Sequence, residues 1–321
     1  MVGELHGLEE NADFELRYLA LLRRKSGLRD VALEEKAVYE EDAKAFVDGA
    51  SDTLPEALCL RAGILEGIRR LNAGPRNARI RVHLTDIDSP AGAIRRHLGA
   101  IRKRIAGSAG VSIPDATGIK EHGLETVGKL KQFRMDSRTQ SELRTVEHSI
   151  RAYQEGLEVD TGIAKGSPYL EDREQAVASN IEDLIRVGKI RSLLVLYGSD
   201  HVSRTMRGDG GPNRDQPFSP VALRLERSGI KIFSVITFPL TGRSFWRGRV
   251  SDLPWTASDG RLESGETLDK VLAAAPETNF LYIDTKRQRA LLPSEDISHY
   301  AVDAFLLFRS GTPMTNHCTT R

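Results

Sequence analysis

Cysteine is almost missing from this 321-residue chain: there are two, Cys59 and Cys318. Cys59 sits among Leu58, Leu60 and Ile64 and reads as a small core residue. Neither a disulfide framework nor a cysteine zinc site is expected, and no cysteine pair of the kind that attaches haem is present. Long apolar runs are missing too. No stretch reaches the roughly 18–20 residues that span a bilayer, and no charged-then-apolar leader opens the chain. A cytoplasmic location with no membrane partner is therefore expected. Excess charge of either sign is absent: 46 Lys and Arg face 45 Asp and Glu, for a net +1. That balance speaks against a nucleic-acid partner. The basic run Arg95–Arg104 is local and lies in a helical pattern, so it reads as a solvated face. There is no Gly-x-Ser-x-Gly elbow, which removes the usual serine nucleophile. No internal repeat or low-complexity tract appears.

What is present is an alternation of short apolar strands and helices. Residues 11–25 read as a helix, with Phe14, Leu16, Leu19 and Leu22 on one side and Ser26-Gly27 as its stop. A short strand follows over Asp30–Leu33. Helical patterns cover about 36–48 and 55–71, the second opening at Pro55. Ile80–Leu84 reads as a strand that runs into Thr85–Pro90. From about 90 to 187 the chain is charged and helical in pattern, without a convincing strand, and is expected to cap or flank a sheet. Strands return at Ser192–Tyr197, Lys231–Phe238, Asn279–Asp284 and Ala304–Phe308. Helices are expected at Phe218–Arg227 and Leu268–Ala275, and Arg243–Trp255 as an edge strand or loop. The pattern predicts a single α/β domain over 1–321. Its mixed, largely parallel sheet is flanked by helices, with a helical insertion between two glycine–histidine turns. Gly3 follows only Met1 and Val2, so the strand before it is nearly missing, which suggests a truncated start.

In open α/β sheets, ligands bind beyond the carboxyl ends of the strands. Three polar clusters fall there: Gly3-Glu4-Leu5-His6-Gly7, Glu34 after the second strand, and Gly198-Ser199-Asp200-His201. Glycine at a strand exit allows backbone to approach a ligand, and a histidine three residues on can point over the sheet edge. A fourth member comes from a helix. Arg173 shares a face with Val177, Ile181 and Leu184, so it begins the buried stripe and needs a carboxylate or an anionic substrate group. Asn180 is near the same face. His6, Glu34, Arg173 and His201 are thus the candidate catalytic set. Glu4, Gly3, Gly198 and Asp86 are candidates for substrate contact, Asp86 with helix capping as its alternative. His6, Glu34 and His201 are also the donors that would hold a divalent metal if one is used.

These blocks resemble the erythromycin esterase, ChaN haem-binding and Tiki/TraB superfamily, nearest to its esterase-like members. GELHGLEENADFELRYLALL is similar to the opening Gly-Glu…His-Gly block, and VALEE to the glutamate block of the second strand. YLEDREQAVASNIEDLI is similar to the arginine-bearing helix, and LLVLYGSDHVSR to the strand with the second histidine turn. FLYIDTKRQ and YAVDAFLLFRSGTP resemble the closing strands. GELH has the shorter Tiki-like spacing between Glu and His, and the region 90–165 matches no named pattern. The resemblance implies hydrolysis of an ester, lactone or amide of a small molecule. His6 or His201 would be the general base, Glu34 would orient it, and Arg173 with a backbone N–H would meet the oxyanion. It also implies two alternatives. One is a Tiki-like protease with a divalent metal on His6, Glu34 and His201. The other is a ChaN-type haem or small-ligand carrier, with Tyr197 or a histidine as axial ligand.

The remaining histidines are less informative. His83 is expected to pack or face outward, and His97, His122 and His148 to be surface residues. Nothing marks His299 or His317. Met206–Pro217 reads as either a lid or a plain connection.

Overall fold

The three residues after Met1 form the central strand of the sheet. The computed structural model describes residues 1–75, 79–154, 169–206, 218–239, 242–246, 249–252, 280–288 and 301–314. Its main sheet contains β1 (Val2–Glu4), β2 (Asp30–Lys36), β3 (Arg81–Asp86), β4 (Leu194–Gly198), β5 (Val235–Pro239), β8 (Phe280–Asp284) and β9 (Ala304–Phe308). The order is β3-β2-β4-β1-β5-β9-β8. Every pairing is parallel except β8 with β9. β6 (Arg243–Trp246) and β7 (Arg249–Asp252) make a separate antiparallel pair, which resolves the open reading of that segment.

The short apolar strands are covered on both faces, as their unbroken hydrophobicity requires. In β2 and β4 the period of two sorts side chains cleanly. Val31, Leu33, Leu194 and Leu196 face one core, while Ala32, Val195 and Tyr197 face the other. The first core is covered by α1 (Glu9–Ser26), α2 (Glu40–Val47) and α3 (Ala62–Leu71), through Leu19, Phe46, Ile64, Leu65 and Ile68. The second is covered by α7 (Tyr169–Arg186) and α8 (Val221–Arg227), through Val177, Ile181, Val221 and Leu225. Each such side chain, fully buried, stabilises the fold by about 1.5–3 kcal/mol. α1 stops where its glycine signal predicts. Gly27 takes φ 70° and donates its N–H to Arg23 O.

Between β3 and β4 the described chain is helical, with α4 (Ala91–Arg104), α5 (Ile119–Leu130), α6 (Ser137–Gln154) and α7, and no strand among the described residues. The first three enclose a core of their own that includes Ile94, Leu98, Val127, Val146 and Ile150. α7 instead lies on the sheet, so the helical stretch divides into a side layer and one sheet-covering helix.

Two expectations need correction. Cys59 is disulfide-bonded rather than a free core thiol, and the chain's other cysteine is Cys318. His97 is buried, not on the surface. Its Nδ1 lies 2.6 Å from Asp88 Oδ2, which ties α4 to the turn after β3. The strand at the first histidine turn is three residues long and is paired on both sides, by β4 and β5. His83 does pack, against Asp30 at 3.0 Å, and His122 is exposed. The expected helix over Leu268–Ala275, the loop 207–217, His299 and His317 lie outside the described residues. No helix among the described residues is long and apolar enough to cross a membrane.

Candidate active site

Strands β1, β2, β3 and β4 are adjacent and parallel, so their carboxyl ends share one edge of the sheet. Glu4 and His6, Glu34 and Glu35, Asp86, and Gly198 and His201 all sit there. The four candidate catalytic residues come together around one carboxylate, that of Glu34. Its Oε1 accepts from Arg173 Nη2 at 2.7 Å and faces His201 Nε2 at 3.2 Å. Its Oε2 accepts the Gly198 N–H at 2.6 Å and faces His6 Nε2 at 3.7 Å. Burial works against a charge on Glu34. The His201, His6 and Arg173 groups outweigh it and hold the carboxyl well below the usual range.

The two histidines are held differently. The ring of His6 keeps 29% of its side-chain surface exposed, and its Nδ1 lies 3.0 Å from Glu4 Oε1. Glu4 also accepts from Arg61 Nη1 at 2.5 Å. Burial opposes its charge, but Arg61 and His6 hold the Glu4 carboxyl down at about 2. An ionised Glu4 cannot donate, so His6 Nδ1 carries the proton and Nε2 has the lone pair when the ring is neutral. His201 is buried, with Nδ1 2.5 Å from Glu174 Oε1 in an ion-pair contact whose angle is poor for a hydrogen bond. Burial would lower the His201 pKa, yet Glu174 and Glu34 raise it to about 10. His201 is therefore an imidazolium at neutral pH.

Glycine at 198 is a matter of space rather than backbone conformation, since its φ is −58°. A Cβ there would stand 2.8 Å from His6 Nε2. Gly3 is buried in the central strand, where a Cβ would meet Val202 Cγ2 at 2.4 Å. It lets the turn after β4 pack on β1. Gly7 is the one position here that needs a left-handed backbone, at φ +85°, and Phe245 O occupies the space of its Cβ. Its carbonyl accepts from Phe245 N and Met314 N, which draws β6 and the 301–314 segment beside His6.

Other expected roles shift. Glu4 is buried and holds His6 in place instead of meeting substrate. Asp86 is buried as well, and both its oxygens accept from Arg173, at 2.9 and 2.5 Å. Arg173 is thus clamped between two carboxylates, and its Nε and Nη2 are not free to meet an oxyanion. Asn180 ties α7 to Thr85 O and Thr145 Oγ1, away from the histidines. Tyr197, considered as an axial ligand, is fully buried with its hydroxyl 2.7 Å from Thr85 Oγ1. A divalent metal on His6, Glu34 and His201 does not fit this donor set. All the Glu34 oxygen positions face N–H groups or a histidine, and the His201 ring is cationic. No group of three or more His, Cys, Asp or Glu side chains among the described residues is placed to hold a metal.

Four site residues escaped the sequence reading: Glu15, Glu35, Arg61 and Glu174. Glu174 was within reach, since it precedes Ala178 by four residues and Ile181 by seven on the buried side of α7. Arg61 likewise stands three, four and seven residues before Ile64, Leu65 and Ile68. Glu15 is buried beside Glu4 and Arg61, and burial followed by the Glu4 charge keeps its carboxyl well above the ordinary value.

The fold and this site edge define an α/β protein with a mixed, largely parallel sheet covered by helices on both faces. No family model and no curated protein matches the chain in sequence. Solved structures do match it in fold. One is a mutant of erythromycin esterase in its open conformation, with a TM-score of 0.67, 14% identity, and 98% of this chain and 91% of that chain covered. A Bacillus cereus protein gives a TM-score of 0.68 at 14% identity over 98% and 90% of the two chains. A succinoglycan biosynthesis protein gives 0.63 at 11% identity over 97% and 88%. At such identities the likeness is one of fold, and it agrees with the resemblance read from the sequence blocks.

Proposed function

We propose that this chain is a hydrolase that cleaves an ester, lactone or amide bond in a small molecule, with water activated by His6. The observation that carries this reading is the pair formed by Glu4 and His6. A buried, ionised carboxylate fixes the Nδ1 proton, and Nε2 carries the lone pair on a ring that keeps 29% of its side-chain surface exposed. That is the arrangement a general base requires. As Nε2 takes a proton from water, the ring becomes cationic 3.7 Å from Glu34, which offsets the new charge. Orientation, which the sequence assigned to Glu34, belongs to Glu4 in this reading. Glu34 supplies the counter-charge. Arg173 and His201 hold Glu34 ionised and in place, and His201, being protonated already, is not a competing base.

A small organic substrate suits the fold likeness to erythromycin esterase. The crosslink at Cys59 favours an oxidising compartment over the cytoplasm. The test is turnover of a panel of aryl and alkyl esters and lactones by wild type and His6→Ala. We expect a loss of about 10²–10⁴-fold in kcat with less than about 0.5 kcal/mol change in stability. A panel hydrolysed equally well by both proteins would end the proposal.

A further inference from the structure

Six acidic side chains crowd the carboxyl edge of the sheet: Glu4, Glu15, Glu34, Glu35, Asp86 and Glu174. Four are held by hydrogen bonds. Glu4 is bonded to His6 and Arg61, Glu34 to Arg173 and Gly198, and both Asp86 oxygens to Arg173. Glu174 is fully buried and accepts from Val221 N, while Glu15 is sealed beneath Glu4 at 1% exposure with its Oε1 unpartnered among the described residues. Glu35 is different. It makes no hydrogen bond among the described residues, its ion partner Arg61 Nε is 3.8 Å away, and 14% of its side-chain surface stays exposed.

The backbone explains how it reaches the site. Side chains on consecutive strand residues point to opposite faces. Val31 and Leu33 face the core under α3 and Ala32 the core under α7, so the same alternation separates Glu35 from Glu34. Glu34 turns toward α7 and His201, and Glu35 toward Arg61. The same guanidinium bonds Glu4, which holds His6, so Glu35 and the His6 dyad sit on two sides of one cation.

We infer that Glu35 is a further catalytic residue, the general acid that protonates the leaving group. This rests on the hydrolase reading above. In the first step His6 Nε2 takes a proton from water. The oxygen of that water bonds to the carbonyl carbon as the π pair moves to the carbonyl oxygen. In the second step that pair returns and the bond to the leaving oxygen breaks with its electrons on that oxygen. The Glu35 proton passes to it. The products are a carboxylic acid and an alcohol, with His6 protonated and Glu35 ionised. A proton passed from His6 to Glu35 through solvent restores both. An alkoxide is too basic to leave unassisted, so an acid here lowers the barrier where the base cannot. The surroundings favour a retained proton. Burial is the main cause, and Asp86 and Glu34 act with it. Arg61 and Lys36 oppose them, and the balance brings Glu35 up to about 7.

The test compares two esters with the same acyl group, ethyl butyrate and p-nitrophenyl butyrate. A nitrophenolate leaves without a proton, so only the ethyl ester needs the acid. For Glu35→Gln we expect kcat on ethyl butyrate to fall about 10²–10³-fold and on p-nitrophenyl butyrate by no more than about threefold. Equal losses on both esters, or none on either, overturn the role of Glu35 while leaving the hydrolase reading standing. Wild type that cleaves neither ester, nor any member of the wider panel of esters and lactones, sinks both. Infrared difference spectra of the full chain read the proton directly. Between pH 6 and 9 one protonated-carboxyl band is expected to disappear in wild type and, apart from any band of Glu15 common to both proteins, to be missing from Glu35→Gln. Without such a band at pH 6 the residue has no proton to give and the inference fails, whatever the turnover.

Discussion

The two glycine–histidine turns look alike in sequence and differ in physical state. His6 leaves β1 with one carboxylate on Nδ1 and a partly exposed ring. His201 leaves β4 and is buried between two carboxylates. The first arrangement suits a base, and the second makes a fixed cation. Nothing within Gly-Glu-Leu-His or Gly-Ser-Asp-His decides this. Glu174 comes from α7 and Glu34 from β2, so partners distant in the chain set the charge of His201. The same spacing can therefore carry unlike chemistry, and the difference lies in what the fold brings alongside.

The strongest way to break the comparison is to remove His201. Its loss in His201→Ala leaves buried Glu174 without its cation and Glu34 with Arg173 in place of two cations. Deleting one partner of a buried pair costs about 3–5 kcal/mol. The expected result is a marked fall in urea-unfolding stability, in contrast to the near-silent stability of His6→Ala. This departs from the exposed placement that a turn position suggests. If His201→Ala unfolds at the wild-type urea concentration, His201 is not a structural cation and the asymmetry disappears.

Gly198→Ala tests the contact between the halves. The new Cβ would lie 2.8 Å from His6 Nε2, so the ring must move. A displacement near 1 Å of a positioned group costs up to about 10²-fold in rate. We expect kcat to fall by that order with KM less affected, and the folded protein to remain. Unchanged kcat would mean that His6 Nε2 does not act where the ring now sits.

The fold was readable because strands buried on both faces are unbroken apolar runs, and such runs are short and distinct here, as in Leu194–Leu196. β1 was hard to read, since three residues give no period. Its neighbours in the sheet, not its own sequence, make it a strand. The meeting of His6, Glu34, Arg173 and His201 followed from their strand-end and helix-face positions. Their roles did not, because hydrogen-bond partners across the fold set them. Arg173 read as an oxyanion donor until Asp86 was found to accept from it twice. Glu174 and Arg61 each begin a buried stripe, and applying to them the rule used for Arg173 would have found both. Glu35 continues the period of two from Val31 and Leu33, so alternation places it on the α3 side, but Arg61, the partner that gives it a role, comes from a distant part of the chain. The bond at Cys59 was hidden for a related reason: apolar neighbours suit a free thiol and a crosslink equally.

The smallest effect is the most specific to the comparison. The folded-state pKa of His201, about 10, lies above its ordinary value of 6.5. A cation so raised contributes stability that is fully present below about pH 6.5 and is lost as pH rises through 10. Within that window the loss approaches about 1.4 kcal/mol per pH unit. Other groups titrate there as well. Glu35, raised to about 7, and the Met1 amine, lowered to about 5, both add slopes of their own. A difference between two proteins removes them. His201→Gln keeps a neutral side chain of similar reach and has no proton to lose. Urea unfolding at pH 7, 8 and 9 should then give wild type a steeper alkaline decline than His201→Gln, so the two stability curves converge as pH rises. Parallel curves would mean that His201 is neutral in the folded protein. Both histidines would then be available as bases, and the division of labour between the two turns would have to be given up.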